Sequence, residues 1–177
     1  MTATLEQLDT KLSTNNQTKG MWAWTVLRIL LGWSFLWAFL DKTFGLKYST
    51  GAAVAEGEPA LSWIASMLKG GSPTFGFLNF GTQASHTGFL FDWMAPSAPD
   101  AINFADIGFM LALLLLGAAL MLGVGTRIAA IGGALLMAFM FLAADVWPEN
   151  NPVNSSHVVE MVVLLGADEL VACEGSI

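Results

Sequence analysis

The stretch GMWAWTVLRILLGWSFLWAFLDK, residues 20–42, decides the fold of this chain. A helix needs about 20 consecutive apolar residues to cross the hydrocarbon core of a bilayer, because it rises only about 1.5 Å per residue. Residues 20–42 satisfy this requirement, and Arg28 is the only charge before Asp41 and Lys42. A guanidinium inside a membrane costs about 3 kcal/mol or more unless it is paired or reaches the interface. Arg28 is therefore a candidate for an organising or functional residue.

The composition agrees with a membrane environment. Hydrophobic residues make up 55% of the 177 residues and charged residues only 12%, about half of the share usual in soluble domains. The net charge of −7 and the seven Lys and Arg residues leave no basic patch that could neutralise phosphates, so nucleic acid is excluded as a partner. We expect a single domain with the lipid bilayer as its main surroundings.

Three more apolar stretches follow, at residues 102–123, 127–147 and 156–173. The last is the weakest prediction, because it is short and contains four acidic or imidazole side chains. Backbone exposed to lipid must satisfy its own hydrogen bonds, so each stretch is predicted to be a helix. The short links between the last three stretches favour antiparallel neighbours. The sequence thus predicts an all-α integral membrane protein with a bundle of four transmembrane helices.

The N-terminal residues 1–19 are polar and do not form a signal peptide, because the apolar run after them is too long for one. We expect this tail to lie on the membrane surface or to be disordered. Lys11 and Lys19 in the tail, together with Arg127 in a short turn, favour both termini in the cytoplasm. Two lysines on the opposite side weaken this bias.

The segment between the first two spans, residues 43–101, is here called the connecting segment. It is too apolar for a simple loop and too interrupted by Gly and Pro for another span. Residues 59–69 have one apolar face, which is typical of a helix at the membrane interface, and residues 86–96 predict a second short interfacial helix. Because its many aromatic side chains need burial, we expect the connecting segment to form an extracytoplasmic helical cap on the bundle.

Depth along the helices places several polar groups beneath this cap. Asp106 lies about 6 Å into the second span and Glu160 about 7 Å into the fourth, at about 1.5 Å per residue. Intramembrane acids beside a histidine are typical of proton or quinone chemistry, whereas ordinary capping of helix ends explains the same residues equally well. The residues expected to converge are Lys42, Asp106, Asp145, His157 and Glu160.

A second pair lies deeper in the bundle. Arg28 is about 20 Å from Lys42 along its helix, and Asp168 is at a similar depth below Ser156. A salt bridge between Arg28 and Asp168, or its neighbour Glu169, would fix the register of the two helices, since an unpaired charge there is costly.

Metal and cofactor binding have little support. The single cysteine, Cys173, rules out an internal disulfide. His86 and His157 are the only histidines, and Glu160 follows His157 by three residues, but the second Glu-x-x-His of a di-metal bundle is absent. We predict no metal site and no covalently bound cofactor.

Four sequence elements support a family resemblance. They are R-x-x-x-G-x-x-F at residues 28–35 with Lys42 after it, GGSPTFGFLNFGT at 70–82, G-x-G-x-R at 123–127 and ENNPVNSSH at 149–157. On these elements the chain resembles the DoxX/DoxD family of small prokaryotic membrane proteins over nearly all of residues 20–172. The resemblance implies a subunit of the prokaryotic cell membrane that is linked to sulfur or redox metabolism.

Two hypotheses about function follow from the resemblance and the polar residues. DoxD is the large subunit of an archaeal thiosulfate:quinone oxidoreductase, so the first is a quinone-reactive subunit with quinone as its substrate. The second is a non-catalytic scaffold or assembly subunit that binds partner subunits or a second copy of itself. In the first hypothesis His157, Glu160 and Asp106 handle protons, and the residues expected near the quinone are Lys42, Asp41, Arg28, Trp37 and Trp93.

Overall fold

The computed structural model describes the backbone of residues 2–46, 66–83, 85–144 and 156–174, and side-chain surroundings for residues 22–46, 66–83, 85–143 and 156–166. Asp145 and most of the amphipathic stretch predicted at 59–69 lie outside the described residues, as does the side chain of Asp168. Within the described part every regular element is helical, which confirms the prediction of an all-α protein. The α-helices are α1 (Thr2–Phe44), α2 (Phe104–Leu122), α3 (Thr126–Ala144) and α4 (Ser156–Glu174).

Among the described residues, three helical stretches are long and apolar enough to cross a membrane: Trp22–Phe44, Phe104–Leu122 and Thr126–Ala143. The described apolar part of α4, Ser156–Gly166, is shorter. The chain is therefore a membrane protein by the length and composition of its helices. Helix α1 runs without a break over 43 residues, about 65 Å at about 1.5 Å per residue, so the polar tail and the first span form one helix.

Helices α1 and α2 are antiparallel and meet at two glycines. A methyl group built on Gly117 would lie 2.8 Å from the backbone nitrogen of Leu36 and 2.9 Å from the carbonyl oxygen of Gly32. The same construction on Gly32 gives 3.0 Å to the carbonyl oxygen of Gly117. Glycine at both positions therefore lets the two backbones touch, which is the usual role of small residues between membrane helices.

A short turn joins α2 to α3. Gly123 (φ 73°) and Gly125 (φ 59°) both have left-handed backbone conformations, which glycine adopts at little cost. The backbone N–H groups of Gly123 and Val124 donate to the carbonyl of Ala119 and close the end of α2. We call this side of the bundle the turn end, and the opposite side, where Asp41 and Asp106 lie, the loop end.

Helix α4 packs mainly on α3. Leu164 and the ring of Phe35 both lie against Gly133, so α1, α3 and α4 meet at one buried point. Gly166 faces the Trp24 ring of α1. These contacts place α4 against α3 and α1.

The described part of the connecting segment lies across the loop end and contains three short helical turns: Met67–Lys69, Phe77–Gly81 and Gly88–Met94. The last of these corresponds to the short helix predicted at 86–96. Phe91 is buried edge-on against Phe139 of α3, with ring centroids 4.7 Å apart. The Thr87 hydroxyl donates to the carbonyl of Leu142, so the segment is also tied to α3 by a hydrogen bond.

The expectation that the aromatic side chains of this segment are buried is correct for Phe91 and wrong for three others. Phe89 is 68% and Trp93 73% exposed, and Phe80 is also exposed. In a 3₁₀ helix, side chains three residues apart lie on one face. Gly88, Phe91 and Met94 therefore face the bundle, whereas Phe89 and Trp93 point away from it.

Candidate functional site: an apolar cavity at the loop end

Asp106, in the first turn of α2, binds the connecting segment to the bundle at the loop end. Its side chain is fully buried, and its Oδ1 accepts hydrogen bonds from the Ser72 hydroxyl (2.7 Å), the Thr74 hydroxyl (2.7 Å) and the Thr74 backbone N–H (2.9 Å). Its Oδ2 accepts from the backbone N–H of Asn103 at 2.9 Å. Both oxygens are thus occupied, and the carboxylate binds the Ser-Pro-Thr turn to α2.

Only one part of the hydrogen bonding around Asp106 follows from the neighbouring sequence. Asn103 is the N-cap of α2, and its side-chain oxygen accepts from the backbone N–H of Asp106 at 3.1 Å, which completes a capping box. Asp106 therefore makes the hydrogen bonds that a helix-capping residue is expected to make. The Ser72 and Thr74 contacts come from more than 30 residues upstream, and they make the Gly-Gly-Ser-Pro-Thr stretch one wall of a cavity.

That cavity has a volume of about 640 Å³ and lies between α1, α2, α3 and the connecting segment. Its wall is made mostly of aromatic, aliphatic and small side chains, and among the described residues of the wall Lys42 is the only charged one. Such a mainly apolar cavity with one polar anchor is the usual form of a site for a lipophilic small molecule. The lining residues are Lys42, Ser72, Pro73, Thr74, Gly76, Phe77, Leu78, Met94, Phe104, Ala105, Gly108, Phe109, Ala112, Gly132, Leu135, Leu136, Phe139 and Met140.

Lys42 lies in the last turn of α1, where a cation is favoured by the helix dipole. Its neighbour Asp41 is fully buried. An ammonium carries more than one N–H donor, so a contact with the protein is compatible with donation to a ligand. The hydroxyls of Ser72 and Thr74 are already directed at Asp106, which makes Lys42 the main polar anchor of the cavity.

The other predicted site residues of the loop end do not line the cavity. His157 and Glu160 lie in the first turns of α4 and are partly buried, but neither is part of the described wall. Trp37 is partly buried and packs against Trp33, with ring centroids 5.8 Å apart. Trp93 stacks at 5.7 Å on Phe104, which is a lining residue, so Trp93 lies at the edge of the cavity.

Arg28 lies at the other end of the molecule. A methyl group built on Gly123, the C-cap of α2, would lie 3.0 Å from Nη1 and 3.4 Å from Nη2 of Arg28. The guanidinium therefore packs against the C-terminal end of α2, whose partial negative charge attracts a cation. Within the described part of the chain, its buried Nε has no hydrogen-bond partner. Pairing of Arg28 with Asp168 stays a prediction.

Sequence reasoning missed the residues that shape the cavity. Gly108 offered one signal, since a glycine inside an apolar helix needs a reason. Ser72 and Thr74 gave none, because nothing local relates them to Asp106. Among the described residues there is no group of three His, Cys, Asp or Glu side chains that could hold a metal ion. Comparison with known protein families, curated proteins and solved structures gives no match to this chain.

Proposed function

We propose that this protein is a quinone-reactive subunit of a membrane redox system, of the thiosulfate:quinone oxidoreductase type that a resemblance to the DoxX/DoxD family implies. The observation that carries the proposal is the placement of Lys42 on the wall of the loop-end cavity. A quinone has a flat apolar ring with carbonyl oxygens at its edge. The cavity offers aromatic surface for the ring and one ammonium for an oxygen.

Lys42 would do more than bind. As electrons reach a quinone, negative charge develops on its carbonyl oxygens, and a fixed ammonium in an apolar site stabilises that charge more strongly than water-exposed groups do. Asp106 has a supporting role in this proposal, because both of its oxygens already accept hydrogen bonds. His157 and Glu160 on α4 are the groups that we propose to exchange protons with the solvent.

The proposed reaction balances with thiosulfate as electron donor. Two thiosulfate ions joined through a new S–S bond release two electrons. Reduction of one quinone to its quinol takes up these two electrons and two protons, one on each carbonyl oxygen. If thiosulfate is oxidised on a partner subunit instead of on this chain, that partner would supply the two electrons.

The finer membrane arrangement also belongs to this proposal. We propose that α4 is the fourth span, that the connecting segment caps the extracytoplasmic side, and that both termini lie in the cytoplasm of a prokaryotic cell. The contact of Leu164 with the core and the lysines of the N-terminal tail support this arrangement.

Quinone binding by the purified protein tests the proposal. Decylubiquinone is titrated into the detergent-solubilised chain, and quenching of its seven tryptophans reports the Kd. Lys42→Met should raise the Kd about tenfold or more, because it removes a hydrogen bond from a charged donor. Lys42→Arg should retain most of the affinity, and Lys69→Met, at an exposed lysine, serves as the control. Equal Kd values for Lys42→Met and the parent would contradict the proposed site.

The proton-handling residues need a separate assay. His157→Ala combined with Glu160→Gln should slow quinone reduction by the protein supplied with thiosulfate, while the Kd for quinone stays within about twofold of the parent. Reduction at the parental rate would remove both residues from the proposal.

A second function, a scaffold that binds a redox enzyme, is favoured by the exposed aromatic surface of the connecting segment. Phe89, Leu90 and Trp93 are all exposed, and such patches often mark interaction sites. A partner that co-purifies in mild detergent and is lost from a Phe89→Ser, Trp93→Ser variant would support this function. Purification of the parent chain alone would count against it.

A further inference from the structure

The loop-end cavity continues along the groove between α2 and α3. On α2 its wall includes Gly108 and Ala112, and on α3 it includes Gly132 and Leu135. From Phe104 to Ala112 the helix rises about 12 Å at about 1.5 Å per residue. The groove ends where the side chain of Leu116 lies 2.9 Å from a methyl group built on Gly132. We call this extension of the cavity the lateral cleft.

Within the part of the chain that the structure describes, the lateral cleft is open on the outer surface of the bundle. Gly108 is exposed, and a methyl group built on it would meet none of the described atoms within 4 Å. Phe104 is 58% and Leu135 65% exposed, although both also line the cavity. In a membrane protein these helix faces are covered by lipid. The mouth of the cleft therefore faces the hydrocarbon of the bilayer rather than water.

We propose that ligands reach the cavity sideways from the bilayer through the lateral cleft, and that the apolar tail of the bound ligand occupies the cleft while its head contacts Lys42. The identity of the ligand as a quinone rests on the proposed function. The cleft narrows the substrate class to quinones with an isoprenoid or alkyl tail. A tail-less quinone would leave the cleft unfilled.

The small residues of the cleft are what make this route possible. Gly108, Ala112 and Gly132 leave a groove that the leucines common elsewhere on these helices would fill. A tail in this groove would replace lipid chains of similar polarity, so its contribution to affinity comes from its close fit to the groove rather than from removal of apolar surface from water. The head at Lys42 and the shape of the groove would then decide which lipophilic molecule is held.

Photolabelling from the lipid phase tests the cleft without any quinone. The protein is reconstituted in phosphatidylcholine vesicles that contain phosphatidylcholine with a diazirine on its acyl chain, and labelled residues are mapped by mass spectrometry. In the parent chain, we expect label on Leu78 and Ala105, which are buried but line the cavity. Gly108→Phe should lower that labelling several-fold. Label on the exposed Leu115 should stay unchanged as an internal control.

Two matched variants complete this arm. Gly108→Ala adds only a methyl group to open space. Leu111→Phe adds bulk at an exposed position of α2 outside the cleft. As controls, both variants should show the same labelling of Leu78 and Ala105 as the parent chain. Unlabelled Leu78 and Ala105 in the parent chain, or equal labelling in Gly108→Phe, would overturn the proposal.

A second arm separates the cleft from the proposed function. Gly108→Phe should raise the Kd for decylubiquinone about tenfold, which corresponds to about 1.4 kcal/mol, and leave the Kd for the tail-less dimethoxy-methyl-benzoquinone within about twofold. Equal effects on both quinones would contradict a tail in the cleft. If the parent binds neither quinone, the proposed function fails, and the photolabelling result still decides whether the cleft admits lipid chains.

Discussion

The two ends of helix α2 show opposite uses of glycine. Gly117, towards the turn end, has the backbone of α1 so close that even a methyl group would collide with it. For Gly108, nine residues earlier, no atom of the described residues lies within 4 Å of the same added group. One glycine closes the bundle, and the other keeps a cavity open. A glycine in a membrane helix therefore has no fixed meaning until its neighbours are known.

The two ends also differ in how they place charge. At the turn end the Arg28 guanidinium packs against the C-terminal end of α2. At the loop end Lys42 lines a cavity, while the Asp106 carboxylate accepts hydrogen bonds from the connecting segment on one oxygen and from the capping box of α2 on the other. Helices α1 and α2 are thus in backbone contact at Gly117, whereas a cavity lies between them at the loop end.

Among the substitutions that test this difference between the two ends, Asp106→Ala should have the largest effect on stability. The change removes four hydrogen bonds to a buried carboxylate and leaves the donors of Ser72, Thr74 and Asn103 without that acceptor. We expect the free energy of unfolding to fall by about 4 kcal/mol, since bonds to charged groups contribute about 1.5 to 3 kcal/mol each but are not additive. Thermal unfolding in detergent measures the change.

Asp92→Ala is the control for Asp106→Ala, because Asp92 is exposed in the same connecting segment and its loss should leave the unfolding temperature nearly unchanged. Similar unfolding temperatures for the two variants would show that the loop end is held by something other than Asp106.

Gly117→Ala should have the next largest effect. The added methyl group would lie 2.8 Å from the Leu36 backbone nitrogen, and a backbone contact cannot be relieved by a rotamer change. We expect a loss of about 2 to 3 kcal/mol, at the upper part of the range for overpacking. Gly108→Ala is the matched variant on the same helix and should be neutral within about 0.5 kcal/mol. Equal losses of unfolding free energy for the two variants would contradict the proposed difference between the two ends.

Arg28→Met should have a smaller effect. Loss of a cation at a helix C-terminus costs about 1 kcal/mol, and Arg28→Lys, which keeps the charge, should recover part of it. A buried ion pair gives a different result, because removal of one partner costs about 3 to 5 kcal/mol. Unfolding of Arg28→Met and of Asp168→Asn by temperature therefore separates the two interpretations. Large and equal losses would support the pair predicted from the sequence.

Much of the fold could be predicted from residues 20–42 and the later apolar stretches, because a membrane restricts long apolar segments to helices. The short turn at Gly123 and Gly125 and the helical turn around Phe91 were also accessible from local patterns. Contacts between distant segments were not. Ser72 and Thr74 reach Asp106 across more than 30 residues, and only the packed structure brings them together.

Only part of the candidate site could be predicted, and the physical reason is related. Counting residues along a helix gives the depth of a side chain, and this placed Lys42 and Asp106 at the same end. The direction in which a side chain points depends on how the helix is rotated against its neighbours. Depth alone therefore grouped His157 and Glu160 with Lys42, whereas the described cavity wall includes only Lys42 of these three.

The central claim is that the loop-end cavity holds the quinone head beside Lys42. The most direct test is photolabelling with a quinone that carries an azide on its ring, followed by mapping of the labelled peptides. We expect label within residues 72–78 and 104–109, with an excess of unlabelled decylubiquinone preventing it and Lys42→Met reducing it. Label concentrated in residues 156–166 of α4, or spread over the exposed helix faces without competition, would contradict this claim.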